Sequence, residues 1–237
     1  PFDPTAVDFL ASIGVAAYKI ASSEIVDVPL LKHVGKTGKP VILSTGMASL
    51  VEIDEAVRAL HEAGTTDLLL LKCTSAYPAP PEEMNLRTIP HLSEIFDVPV
   101  GLSDHSMGHN VALAAVALGA CAIEKHITLA RSDGGLDSAF SMEPHEFKSM
   151  VDAVRAIERA LGGVRYGPTA SERISRIYRR SLFIVEDVQA GEHITARNVR
   201  SIRPGHGMHP RYLEDVLGRR ARRNLEKGTP LTWDMVE

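Results

Sequence analysis

The stretch that decides the fold runs from Val41 to Thr74: VILSTGMASLVEIDEAVRALHEAGTTDLLLLKCT. It opens on a short apolar run, Val41–Thr45, and closes on another, Leu68–Thr74. Between them Ser49 and Glu52 form the S-x-x-E pattern of a helix capping box, and Ile53, Ala56, Val57 and Leu60 follow at helical spacing. Strand, helix and strand in this order make a βα unit. Its strands run parallel and are covered on both faces, which suits their continuous apolar character.

The same unit repeats on either side. Ala17–Ala21, Val98–Ser103 and Ala122–Thr128 are further strand candidates, each followed by a helical pattern. Asp3 as N-cap with Pro4 at the first helical position starts a helix that Gly14 stops. Phe147, Met150, Val151, Val154, Ile157 and Leu161 mark a later helical face ended by Gly162-Gly163. The character then changes. Residues 164–180 read as a linker. Ser181–Val188, Val199–Arg203 and Pro230–Trp233 read as short strands around turns at Ala190-Gly191-Glu192 and Pro204-Gly205, with a short helix near Tyr212–Leu217.

These patterns predict three segments: a barrel-type domain over 1–163, a linker over 164–180 and a small β-rich domain over 181–237. The expected fold is α/β. Five strands set against the eight of a closed (β/α)8 TIM barrel predict a barrel lacking its first three βα units. A doubly wound sheet is the rival, and no glycine-rich nucleotide loop follows any strand to support it.

Composition narrows the function classes. No apolar run reaches the ~18 residues that span a membrane, and the first residues show no basic-then-apolar leader, so neither membrane nor secretion is expected. Cys73 and Cys121 lie in apolar segments and read as buried free thiols of a reducing, cytoplasmic compartment. Residues 1–163 carry 12 Lys and Arg against 21 Asp and Glu, whereas residues 164–237 carry 14 against 9. The basic tail suits an acidic partner surface or an anionic substrate. Aromatic residues are only 5% of the chain and form no stacking motif, which ranks nucleic acid low. The cluster Arg219-Arg220-Ala221-Arg222-Arg223 reads as a solvated or interface face.

In a barrel the catalytic groups gather where strands end and βα loops begin. All five strand ends are polar here: Lys19, Ser22, Ser23 and Glu24; Ser44 and Thr45; Thr74, Ser75 and Tyr77; Ser103, Asp104 and His105; Glu124, Lys125, His126 and Thr128. Hydroxyls and ammonium groups converging on one mouth suit a phosphate or carboxylate. His105 and His126 end neighbouring strands and could share a divalent metal, with water and substrate oxygens completing its shell. A pair of hydrogen-bonded structural histidines fits their spacing equally well. Asp137 lies in the glycine-rich loop Asp133–Ser138, which could fold over a ligand or be an ordinary surface turn. No GxSxG elbow, P-loop or HExxH is present.

Several segments resemble the N-acetylneuraminate synthase family, in that family's order: YKIASSE at 18–24, VILSTGM at 41–47, CTSAYP at 73–78, GLSDH at 101–105 and EKH at 124–126. SIRPG at 201–205 and GTPL at 228–231 resemble its C-terminal antifreeze-like (SAF) domain. Within the family, GGLDSAFSMEP at 134–144 and GHGMHP at 205–210 resemble the pseudaminic acid branch. Ser138 stands where the N-acetylneuraminate branch usually has a histidine.

The resemblance implies a transferase that condenses phosphoenolpyruvate with an amino-sugar aldehyde. It implies His105 and His126 as ligands of a divalent metal, usually manganese, with magnesium or cobalt as alternatives. Lys19, Ser22, Ser44, Ser75 and Ser103 would bind phosphoenolpyruvate, the position of Ser75 being asparagine in some relatives. Tyr77 and Asp137 would contact the acceptor, and Arg203 would reach the partner subunit's site in a domain-swapped homodimer. The resemblance also implies an acidic residue and a lysine from the absent first units, so weak turnover is expected of this chain alone. The rivals are another metal-dependent barrel with Lys125 as Schiff-base lysine, and a non-catalytic barrel carrying a carbohydrate- or ice-binding module.

Overall fold

The computed structural model describes residues 1–237, which divide into two compact units, Pro1–Gly163 and Val164–Glu237. In the first, α1 (Pro4–Ser12), β1 (Tyr18–Ile20), α2 (Val28–Gly35), β2 (Val41–Ser44), α3 (Leu50–Ala63), β3 (Leu68–Cys73), α4 (Thr88–Phe96), β4 (Val100–Asp104), α5 (Asn110–Ala117), β5 (Ile123–Lys125) and α6 (Pro144–Leu161) follow in sequence. The five strands form one sheet in the order β1-β2-β3-β4-β5, every neighbouring pair parallel. No helix is long and apolar enough to cross a membrane.

Local chemistry sets the helix limits. Asp3 accepts a hydrogen bond from the Ala6 amide with Pro4 behind it. Ser49 and Glu52 cap α3 reciprocally, and Gly64 ends it at φ +117°, a conformation open to glycine. The strands are a little shorter than expected. β4 starts at Val100 rather than Val98 because Pro99 has no amide hydrogen for a ladder. β5 stops at Lys125 rather than Thr128, beyond which only a single bridge joins Ile127 to Met142.

In a parallel ladder, residues in register share a face. Tyr18, Ile20, Val41, Leu43, Leu68, Leu70, Val100 and Leu102 face the helices and form one core with Leu30, Leu31, Val34, Ile53, Leu60, Ile89 and Leu92. The opposite face carries Lys19, Ser44, Cys73, Ser103 and Glu124.

Two burial expectations are corrected. Cys121 is exposed, just ahead of β5, whereas Cys73 is buried within β3; both thiols are free. The apolar stripe of α6 is largely open. Met150 is buried and packs with Phe147 and Val154 near Ala112 and Met142, while Val151 and Leu161 are exposed.

In the second unit, 164–180 is not a plain linker. Thr169 and Glu172 cap each other at the start of α7 (Glu172–Ser175), and a 3-10 turn follows at Arg176–Tyr178. β6 (Ser181–Ile184) and β7 (Val199–Ile202) are antiparallel, and α8 spans Leu213–Val216. The strand expected at Pro230–Trp233 reduces to one bridge between Phe183 and Pro230, ahead of a 3-10 turn at Trp233–Met235. Leu182, Ile184, Val188, Ile194, Val199, Val216, Leu225, Leu231 and Val236 form its core. Three chain segments cross at Gly207, where a Cβ would lie 2.3 Å from the Leu182 carbonyl oxygen.

Leu70 is fully buried at the centre of the first core. Leu70→Ala is expected to cost about 2–5 kcal/mol in the unfolding transition of the first unit, read by urea denaturation followed by circular dichroism.

Candidate active site

The ends of β1 to β5 converge on one side of the sheet and bring the candidate residues of the first unit into two touching clusters. The first is built on Lys19, whose ammonium donates to Ser44 Oγ at 2.8 Å and to its neighbour Ile20's carbonyl at 3.0 Å. Glu124 lies 3.7 Å from that ammonium and accepts a 2.7 Å hydrogen bond from Ser103 Oγ. The Gly46 amide donates to Ser22 Oγ at 3.0 Å. Glycine is required at 46 by its neighbours, since a Cβ there would stand 2.3 Å from Ser75 Oγ, 2.8 Å from Ser22 Oγ and 3.2 Å from Cys73 Sγ. Ser22 and Ser75 therefore flank a patch of bare backbone at Gly46, and Lys19 with Ser44 adds an ammonium–hydroxyl pair at the neighbouring strand ends, an arrangement suited to an oxyanion.

The second cluster is aromatic and imidazole. His105 and His126 have ring centroids 5.2 Å apart, at 69° to one another. Tyr77 packs on His105 at 4.3 Å, and Phe140 packs on His126 at 5.1 Å. Asp137 Oδ2 is 3.6 Å from His126 Nδ1. Cys73 joins the clusters, with its sulfur 3.9 Å from both Ser75 Oγ and His105 Nδ1.

The His105 tautomer follows from its partner. Nδ1 is 3.0 Å from the Thr74 carbonyl, which can only accept, so Nδ1 carries the hydrogen and the neutral ring keeps its lone pair on Nε2. No three His, Cys, Asp or Glu side chains converge as ligands on one point. The residues present thus fit a cation shared by two imidazoles and oxygens from outside the protein, not one caged by protein ligands alone.

The electrostatics are unusual at Cys73. Burial pushes its thiol up, but hydrogen bonds with His105 and Ser22, and the charge of His105, outweigh burial and bring it down to about 7. Burial pushes His105 down, and the Cys73 sulfur and Thr74 carbonyl outweigh that and raise it. Tyr77 is raised by burial and by the negative charge around it.

Arg203 lies in the second unit, exposed, just beyond β7. Lys125 is turned away from the imidazoles, its side chain 1% exposed and paired to Asp104, so it is no Schiff-base group. Sequence reasoning placed Glu124 at a polar strand end without giving it a role, and passed over Gly46, Cys73 and Phe140 as site residues. Strand alternation from His126 and Ser75 points to Glu124 and Cys73, whereas no sequence signal marks Phe140.

Comparison with known proteins agrees with this layout. Residues 1–166 match the NeuB family and residues 179–237 match the SAF domain. The pseudaminic acid synthase of Helicobacter pylori is 42% identical over 100% of this chain and 70% of its own length. The N,N'-diacetyllegionaminic acid synthase of Campylobacter jejuni is 40% identical over 96% of this chain and 69% of its own. A solved structure, the putative spore coat polysaccharide biosynthesis protein E of Chromobacterium violaceum, superposes with a TM-score of 0.73 at 29% identity, covering 100% of this chain and 72% of that one. An α/β unit whose parallel strand ends gather ammonium, hydroxyl and imidazole groups is a synthase-type half-barrel. The chain belongs to the NeuB family.

Two outcomes are expected. Gly46→Ala displaces Ser22 and Ser75, and raises the KM for the anionic substrate about tenfold or more with the melting temperature near wild type, read by steady-state kinetics and calorimetry. In metal-free protein, ultraviolet thiolate absorbance lost in Cys73→Ser rises through about pH 7 rather than 9. The sign follows from the depressed value: the stabilisation from Cys73 ionisation is complete above the unfolded thiol's range and is lost as pH falls through about 7.

Proposed function

We propose that the chain is a pseudaminic acid synthase. It joins phosphoenolpyruvate to 2,4-diacetamido-2,4,6-trideoxy-L-altrose, giving a nine-carbon 2-keto sugar acid and phosphate. The observation that carries this reading is the contact of an ammonium–hydroxyl cluster with a facing imidazole pair at the sheet's polar end. Family membership and 42% identity to a pseudaminic acid synthase support it.

The residues have separable tasks. Lys19 with Ser22, Ser44, Ser75 and Ser103 would hold the phosphate and carboxylate of phosphoenolpyruvate, so that C3 is presented to the aldehyde carbon in an attack geometry. His105 and His126 would hold a divalent cation, manganese by expectation with magnesium or cobalt as alternatives, which when bound polarises an aldehyde oxygen as a Lewis acid. Tyr77 and Asp137 flank the imidazoles where the acceptor would lie, and Phe140 keeps that side apolar. Glu124, between Ser103 and Lys19, orients both.

The sheet fits a larger (β/α)8 barrel, because its strands are all parallel and in sequential order. Arg203 would serve a partner subunit's site in a domain-swapped homodimer, a role supported by its exposure and by the basic sign of the second unit. The setting is a cytoplasmic pathway to nonulosonic acids.

The test is mass spectrometry of products, with phosphate release, from phosphoenolpyruvate and a panel of three amino-sugar acceptors. The 2,4-diacetamido-trideoxy acceptor is expected to dominate; product only from N-acetylmannosamine would sink the acceptor assignment. His105→Ala with His126→Ala is expected to lower turnover by more than ~100-fold with the fold retained, since outer-shell partners of a metal site alone cost about 10–100-fold. Undiminished turnover would support a scaffold role.

A further inference from the structure

Behind the imidazoles, on the helix side of the sheet, lies a fully desolvated ion pair that the proposed reaction does not use. Lys125 Nζ is 2.8 Å from Asp104 Oδ2, with the two side chains 1% and 0% exposed. The same ammonium donates to the Ser106 carbonyl at 2.7 Å. The other Asp104 oxygen, Oδ1, accepts from the Ser106 amide at 2.8 Å and from Ser106 Oγ at 2.7 Å. Asp104 and Ser106 bracket His105 in the chain, and Lys125 immediately precedes His126.

We propose that the Lys125–Asp104–Ser106 cluster positions the two imidazoles, setting the separation of His105 and His126 from the far face of the sheet; this rests on the reading that the two rings share one cation. β4 and β5 are joined by only three register pairs, the last being Asp104 with Lys125. β5 has only three residues, so its ladder to β4 alone defines register weakly. A slip of one residue would carry His126 to the opposite face. A buried ion pair adds little net stability compared with apolar groups of the same size, and its best-attested use is to enforce one register. The position of this pair, one residue before each ring, is where such a constraint transfers directly to the distance between the rings.

The experiment uses the full chain as wild type, as the double variant Asp104→Leu/Lys125→Leu, and as the isosteric Asp104→Asn. Asp104→Asn keeps an oxygen for Ser106 while removing the charge. Mn2+ affinity is measured by calorimetry beside the melting temperature, and crystal structures give the ring separation. The double variant, which also leaves the buried Ser106 amide and hydroxyl without their acceptor, is expected to melt lower but remain folded, to bind Mn2+ about 10–100-fold more weakly, and to show the rings moved from their 5.2 Å spacing. Asp104→Asn is expected to show a smaller weakening, and it decides the matter if the double variant does not fold. Wild-type Mn2+ affinity or unchanged ring spacing in a folded variant overturns the positioning role and leaves the pair purely structural. Absence of Mn2+ binding by wild type sinks the shared-cation reading instead, and ring spacing alone then decides the inference.

Discussion

Everything at the polar end of this sheet depends on in-register parallel pairing. Cys73, Ser103 and Glu124 are consecutive partners across β3, β4 and β5 and share one face, while Lys72, Leu102 and Ile123 are partners on the other. The choice between the two assignments is made by apolar burial. Leu70, Leu102, Leu43 and Ile20 are all fully buried against helices, at roughly 25 cal/mol for each Å² removed from water. A shift of one residue would expose all of them, and would also send Lys19, Ser103 and Glu124 into the helix layer. A non-directional force thereby selects a register, and the register selects which polar side chains meet.

The helix layer is not wholly apolar, and its exceptions stand directly behind the chemistry. Lys72 is buried, and burial pushes its ammonium pKa down. Its Nζ donates to the Cys73 carbonyl at 3.0 Å and to Thr74 Oγ1 at 2.7 Å. Thr74 in turn offers its carbonyl to His105 Nδ1. Lys125 acts on the other flank through Asp104 and Ser106. Two ammonium groups behind the sheet thus tie down the backbone on either side of one imidazole. Each is desolvated at a cost that only complete hydrogen bonding offsets. Such residues are read more naturally as positional constraints than as sources of stability.

The fold was legible because its signals are local. Short continuous apolar runs, the Ser49–Glu52 cap and the Asp3-Pro4 start are encoded within a few residues of where they act. The strand-end side chains were legible for the same reason, since a barrel-type unit places them at one mouth. What stayed hidden depends on neighbours distant in sequence. Glu124 matters through Ser103 and Lys19, which the register brings to it. Gly46 matters because Ser22 crowds it from one other segment and Cys73 with Ser75 from a second. Phe140 sits in a loop with no periodicity. Cys121 looked buried because its segment is apolar, yet it is exposed just ahead of β5. The stripe on α6 looked like a full core face, yet only a small cluster around Met150 closes over it.

The two imidazoles are held unequally, and the difference bears on how the site would work. His105 is 7% exposed, and its ring is tied to Thr74, its carbonyl to the Ala79 amide, and both neighbouring residues to Lys125. The His126 side chain is 33% exposed; its carbonyl is also held, by the Met142 amide, but its ring Nδ1 lies 3.6 Å from Asp137 Oδ2, beyond hydrogen-bonding distance. Asp137 and Phe140 both belong to a loop that opens with Gly134 at φ +77° and Gly135 at φ +134°, where a side chain would strain the backbone. Under the proposed reaction, phosphoenolpyruvate presents one fixed set of charges, which suits the anchored half around Lys19 and His105. The acceptor sugar is larger and variously substituted, which suits the more exposed half formed by the His126 ring and the Asp137 carboxylate. Rigidity is concentrated at the end of β4, where both chain neighbours of His105 are held by one buried ammonium.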